Sequence, residues 1–425
     1  MATHLGRAAT FFVALSGCVY DDAPAQPDAA STPDAAPSMP DASTVARVTV
    51  MFGEAPVAGV PVVFHGIAEV TTDSAGHASH EITPDTTVTT GWVEGPNFQL
   101  QTVLGIQPGD DVVLGYPAPF QPPPGPSGTI EVSVPPVPGA TSYWFDDGCY
   151  GSVQPVNTPS ATLRYSPDCL SDGKINVLVR AIDLPGTTLA VAGGSFTPPI
   201  NSASLSWSQL EPFEVDLVNA PAGSMPSYIE VDPTIDNEIL QWYSISRELK
   251  GDGRIFLRAP PPRMVPEFAV NAYLWYPDGS SAMDQRVAPF APLTVDFRPF
   301  VAVPVSPMIE GSTIRWSATG PMDTVQGVRV ELQGMSHDWT ITLPPSTSLV
   351  LPDLPAGLAA YRPPAGTEGA VNFFSSTRFH SYADVRRMPW AAYRGFMWYS
   401  PGPYRFFYSW ATIPSQQFNL RRGAK

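Results

Sequence analysis

The side chains that could do chemistry fall in a few places. His77 and His80 flank a turn, with His65 not far off in the chain. Two imidazoles spaced this way, without a clear third ligand, read as solvated turn histidines rather than as a metal site. Glu230, Asp232, Asp236 and Glu238 crowd one loop, and their hard oxygens would suit calcium. They lack the alternating D-x-D-x-D-G spacing of a calcium loop and read as solvated acids. Catalytic templates are missing: the chain has no H-E-x-x-H, no G-x-S-x-G, no Walker loop and no G-x-G-x-x-G. No cofactor is called for.

The densest chemistry lies near the C-terminal end. From 371 to 425, Arg378, Arg386, Arg387, Arg394, Arg405, Arg421, Arg422 and Lys425 stand against a single acid, Asp384. The whole chain runs the other way, with 39 Asp and Glu to 23 Lys and Arg. Aromatic residues are interleaved with these cations. Phe396–Tyr399, then Ser400-Pro-Gly-Pro403, then Tyr404–Trp410 reads as a hairpin. Its second strand puts Tyr404, Phe406, Tyr408 and Trp410 on one face and Arg405, Phe407 and Ser409 on the other. Three readings are open for it. It is a packed edge of the last folded module, its arginines pairing with the acidic remainder. Or it is a carbohydrate platform, with Trp398, Tyr404, Arg405, Phe406, Tyr408 and Trp410 as candidate ligand-binding residues. Or it is a basic surface for anionic envelope polymers or lipid headgroups. Nucleic acid is disfavoured, because the overall charge repels phosphate.

The elements that must position these residues read as strands. Fifty prolines in 425 residues and a charged fraction of 15%, with short alternating runs between Pro, Gly, Asp and Asn, give an all-β expectation of tandem antiparallel β-sandwich modules. About 380 residues exceed one core, so several modules are needed. Composition shifts place them at 45–116, 129–211, 212–303 and 304–425, with a Pro-rich linker at 117–128 around Pro122-Pro123-Pro124. Two turns stand out. Asp73-Ser-Ala-Gly76 has the Asp that bonds its own backbone and the Gly that suits the exit. Gln107-Pro-Gly-Asp110 joins two closing strands.

Ahead of the modules, an apolar run from Ala8 to Leu15 follows Arg7 and closes on Leu15-Ser16-Gly17-Cys18. This resembles a bacterial lipoprotein signal peptide with its lipobox. The resemblance implies that residues 1–17 are removed, that Cys18 carries a diacylglycerol, and that the mature chain is held at a membrane. Acyl chains on one cysteine anchor by burying methylenes at about 0.8 kcal/mol each. Val19, rather than Asp, follows the cysteine, which points to the outer membrane of the cell envelope. Residues 18–44, with Pro-Asp-Ala at 27–29, 33–35 and 40–42, hold almost nothing large and apolar. They read as a disordered tether. In an exported, oxidising compartment, Cys149 and Cys169 are the remaining pair and are expected to form a disulfide.

The run Ala58-Gly-Val-Pro-Val62 followed by Thr72-Asp73-x-x-Gly76 resembles bacterial immunoglobulin-like and carboxypeptidase-regulatory-like domains, which implies a non-catalytic spacer or adhesion module. Pro138-Gly-Ala-Thr-Ser-Tyr143-Trp-Phe145 resembles the second-strand region of fibronectin type III-like domains. The expectation is a non-enzymatic, lipid-anchored surface binding, adhesion or scaffold protein whose partner is an envelope polysaccharide or a surface protein. The rival is an envelope glycan or peptide hydrolase, which would show two carboxylates about 5 to 9 Å apart in a cleft.

Overall fold

The computed structural model describes residues 44–52, 55–94, 96–116, 126–147, 154–167, 170, 173–220, 228–235, 238–239, 253–277, 280–298, 302–334, 336–364, 367–387 and 406–413. Strands dominate them. The first sandwich holds β1 (Val45–Phe52), β2 (Ala55–Pro56), β3 (Pro61–Phe64), β4 (Ala68–Thr71), β5 (His77–Glu81), β6 (Thr86–Glu94), β7 (Asn97–Ile106) and β8 (Asp111–Tyr116). Alternation in β1 buries Ala46, Val48 and Val50, the period of a half-buried strand. β5 and β2 pair antiparallel along one edge of β1, and β8 pairs parallel along the other. Parallel pairing needs room at Gly115. With φ of 126°, a Cβ there would lie 1.8 Å from the Met51 carbonyl oxygen. Opposite this sheet lies β4-β3-β6-β7, and Val62, Phe64, Val88, Ile106 and Val112 fill the space between.

Both turns of this sandwich have the geometry their residues predict. Asp73 Oδ1 accepts the amides of Ala75 and His77 at 2.8 and 2.9 Å, and Gly76 sits at φ 72°. Asp110 Oδ2 accepts the Gln107 amide at 2.7 Å. That turn does not make a hairpin, because β7 and β8 belong to different sheets.

The second sandwich is built of β9 (Gly128–Ser133), β10 (Ser142–Asp146), β11 (Gln154–Val156), β12 (Ser160–Tyr165), β13 (Ile175–Ile182), β14 (Thr188–Phe196) and β15 (Ser202–Ser204). Sheets β12-β9-β15 and β11-β10-β13-β14 enclose their own core of Ile130, Val132, Phe145, Leu163, Val177 and Val179.

The third sandwich contains β16 (Glu211–Val218), β17 (Tyr228–Ile235), β18 (Glu238–Ile239), β19 (Gly253–Ala259), β20 (Glu267–Trp275), β21 (Ser281–Pro289) and β22 (Leu293–Asp296). The fourth contains β23 (Val303–Glu310), β24 (Thr313–Thr319), β25 (Gly327–Gln333), β26 (His337–Leu343), β27 (Ser348–Val350), β28 (Glu368–Ser376), the short helix α1 (Tyr382–Arg387) and β29 (Phe406–Ile413).

Three of the four sandwiches are fused. One twelve-stranded sheet runs β18-β17-β20-β21-β29-β28-β25-β26-β7-β6-β3-β4. Its order is third, fourth, first, so the first and last sandwiches are neighbours in the sheet. The joints are an antiparallel pair, β21–β29, and a parallel pair, β26–β7. On one face, Phe268, Val270, Phe407, Phe373, Val330, Trp339 and Leu100 join a single core. That core is closed by residues of the three-stranded sheets β19-β16-β22 and β23-β24-β27. On β7, Leu100 belongs to this core and Val103 to that of the first sandwich.

Of the C-terminal hairpin expected from the sequence, only part of the second strand falls among the described residues. Residues 396–405 lie outside the described residues, but β29 is an interior strand. Phe406–Trp410 pair with β21 on one side and β28 on the other. Both ladders of Phe406–Trp410 are thus taken by β21 and β28.

Candidate functional site

β29 is placed by its inward face. Phe407, Ser409, Ala411 and Ile413 are buried, and the Ser409 hydroxyl donates to the Ala302 carbonyl at 2.7 Å. The alternating residues Tyr408 and Trp410 turn to the other side of the sheet. There they pack, half-buried, on Met283, Phe374, Phe379 and Val385. Their ring centroids are 5.3 Å apart, and the Tyr408 hydroxyl donates to Asn372 Oδ1 at 2.6 Å.

Register extends this face across the joint between the third and fourth sandwiches. Trp275 of β20 stands opposite Ser281 of β21, and Ser281 stands opposite Trp410. Tyr273, Met283 and Tyr408 form the next row. Trp275 is 43% exposed. Two strand spacings separate it from Trp410, about 10 Å. The result is an aromatic patch drawn from two sandwiches, with Asn271 of β20 and Gln285 of β21 buried one row beyond Tyr273 and Met283.

Of the ligand candidates read from the sequence, Tyr408 and Trp410 are brought into this patch. Phe406 opens β29, its backbone paired with Gln285 and Ser376. Trp398, Tyr404 and Arg405 lie outside the described residues, as do Cys18, Cys149 and Cys169. Trp275 and Tyr273 were missed. The alternation Ala272-Tyr273-Leu274-Trp275 does put both rings on one face, but their nearness to β29 runs through β21 and is not local.

The histidines do not converge. The His65 Nε2 lies 2.8 Å from the Thr89 hydroxyl, His77 Nδ1 lies 3.0 Å from the Thr49 hydroxyl, and His80 Nδ1 lies 2.8 Å from the Glu81 carbonyl oxygen. Burial holds His65 below its usual pKa, against the field of Asp353. Among the described residues, no three His, Cys, Asp or Glu side chains could hold a metal ion. Glu230 and Asp232 lie on β17 and Glu238 on β18; Asp236 is outside the described residues.

Two of the C-terminal arginines have a structural task. Asp110 is 2% exposed. Its Oδ2 accepts Arg386 Nε at 2.6 Å, and its Oδ1 accepts Arg386 Nη2 at 3.1 Å and Arg387 Nη2 at 2.9 Å. Burial pushes the Asp110 carboxyl up, but Arg386, the Gln107 amide and Arg387 outweigh it and hold it below the usual carboxylate range. One helical turn away, the Tyr382 hydroxyl points between the carbonyls of Leu104 and Thr342, at 2.8 and 3.2 Å. α1 thereby clamps the β7–β8 corner to the fourth sandwich. On the opposite side, Phe98 stacks on His337 at 4.7 Å and meets Tyr361 edge-on at 5.3 Å.

No family model and no curated protein matches this chain. Among solved structures, similarity is found to a Ca2+-stabilised adhesin with which an Antarctic bacterium binds ice (11% identity, 79% of this chain and 95% of that one, TM-score 0.13). A 1.5-MDa bacterial ice-binding adhesin also matches, at 8% identity over 56% of this chain and 86% of that one, with a TM-score of 0.12. So does the major pilin of Streptococcus pyogenes, at 8% identity over 52% and 97%, with a TM-score of 0.10.

Proposed function

We propose that this chain is a non-enzymatic, lipid-anchored protein of the cell envelope, and that its fused sandwiches act as a stiff surface-binding or adhesion scaffold. The observation that carries this reading is the aromatic patch of Trp275, Trp410 and Tyr408 on the continuous sheet. A ligand face built on sheet backbone keeps its geometry without ordering cost at binding. The charged groups described above support binding over catalysis, since Asp110, His65 and His77 tie turns and strands together. A row of rings on one sheet face suits the apolar faces of sugars in an envelope polysaccharide. A hydrolase acting on glycan or peptide is the rival. Nucleic acid is not the partner, given the net charge of −16.

Two experiments test the reading. Cys18→Ala should move the protein from the membrane fraction to the soluble one; retention through detergent-free washing defeats the anchor. Trp275→Ala should leave the melting temperature within a degree or two and abolish retention on a column of the cell's own envelope polysaccharide. Unchanged retention rules this patch out as the ligand face.

A further inference from the structure

A run of buried hydrogen bonds crosses the joint between the first and fourth sandwiches. It starts at Trp339 of β26, whose indole Nε1–H donates to the Thr102 hydroxyl of β7 at 2.8 Å. The Thr102 hydroxyl lies 2.8 Å from that of Thr89 on β6. Thr89 Oγ1 lies 2.8 Å from Nε2 of His65, just past the end of β3. Trp339, Thr102 and Thr89 are at most 1% exposed, and His65 is half-buried. The fourth sandwich closes over this run with the loop that follows β27. Leu358 of the loop joins Val63 and Leu100 in the shared core, and the Arg362 guanidinium lies 6.0 Å from the centre of the Trp339 ring.

Counting donors fixes the direction of every bond. An indole N–H only donates, so Thr102 accepts it. Among the described residues, Thr89 is then the one partner left for the Thr102 hydroxyl proton. Thr89 accepts it and donates onward to His65 Nε2. The run ends on a lone pair, so His65 is neutral and carries its proton on Nδ1. A second proton would make Nε2 a donor as well, facing the Thr89 donor. Thr89 would have to turn back on Thr102, leaving a buried hydroxyl proton without an acceptor, which is costly. The groups around His65 are few. β6 presents Thr87, whose carbonyl accepts the His65 amide, and Thr89. The loop after β27 brings Asp353 and Arg362, and β4 brings Glu69, which faces Gly357 of that loop. Burial holds His65 below its usual pKa and outweighs the field of Asp353, which favours the charged ring.

We propose that His65 is the acid-sensitive end of this run and makes the joint between β7 and β26 a pH-dependent lock. At neutral pH the lone pair on Nε2 completes the run. In acid the ring takes a proton, the run loses a bond, and the β26–β7 pairing that fuses the first sandwich to the fourth loosens. His65 titrates lower in the folded chain than in the unfolded one. Its contribution is therefore complete above the unfolded value, about 6.5, and declines as pH falls below it. The carboxylate of Asp110 keeps its charge to lower pH than this, so α1 still holds the first sandwich while the sheet joint gives way.

The test uses the full chain. Nuclear magnetic resonance of isotope-labelled histidine, at about pH 8 where the ring is neutral, should show His65 protonated on Nδ1 and bare on Nε2. Hydrogen exchange is then compared at about pH 7.5 and about pH 5.5, on either side of the free histidine value, with the intrinsic rates divided out. β7 and β26 should lose protection in acid, while β13 of the second sandwich keeps its own. In His65→Gln, whose amide oxygen accepts from Thr89 and does not titrate, that loss should disappear. If the variant fails to fold, the tautomer and the acid response of the natural protein decide the matter. A proton on Nε2 in the neutral ring, no acid loss at β7 and β26, or the same loss in His65→Gln overturns the proposal.

Discussion

Asp110 does two tasks with one carboxylate. It closes the turn after β7 through the Gln107 amide, and it binds two guanidiniums of α1. Removing one member of a buried pair costs about 3–5 kcal/mol, since the other charge is left behind. Arg387 is half-exposed and can turn to solvent, so Asp110→Asn is expected at the lower end of that range. The pH dependence follows from the direction of the shift. A carboxyl held below its unfolded value, about 3.9, stabilises fully above that value and loses the contribution as pH falls through the folded one. Urea midpoints from pH 7 to pH 3 should therefore fall more steeply for the natural protein than for Asp110→Asn below about pH 4. Parallel curves would show that the clamp carries no linked proton. The turn itself is legible in Gln107-Pro-Gly-Asp110. The clamp is not, because nothing local marks Arg386 and Arg387, more than 270 residues on, as its partners.

At the scale of elements, sequence patterning reads faces well and neighbours poorly. The alternation of Phe406–Ile413 separates Phe407 and Ser409 from Tyr408 and Trp410, as the structure has it. The same residues suggested a hairpin, because Ser400-Pro-Gly-Pro403 is good turn chemistry and carries no information about distant competitors. β21 and β28 take both ladders of β29, and neither is near it in the chain. The two faces of the sheet should also differ in energy. Phe407 packs in the shared core at 7% exposure, so Phe407→Ala should cost about 3–5 kcal/mol, transfer and cavity together. Trp275→Ala, on the half-exposed rim, should cost far less. Chemical denaturation of the two variants measures both, and equal losses would contradict the assignment of faces.

The whole molecule is joined against the order of its sequence. The first sandwich lends its edge strand β7 to β26 in parallel, and Leu100 of that strand sits in the core of the others. The last described strand, β29, is the only described link between the third and fourth sandwiches within the sheet. Such long-range pairing delays folding, because loop closure precedes the contacts that offset it. It also merges stability. The second sandwich has its own core, gives only Leu178 to the shared one, and meets the third through Val191, Leu210 and Met264. Residues 45–425 should therefore melt in two calorimetric transitions, a smaller one for the second sandwich and a larger one for the fused three. Deleting 406–425 should bare the edges of β21 and β28 and remove Phe407 and Ile413 from the shared core. Unpaired edges of this length invite association. The larger transition should then split or drop by many degrees, with aggregation, while the smaller one stays in place. A larger transition that survives the deletion unsplit at its original temperature would mean that the third and fourth sandwiches do not depend on β29 to hold together.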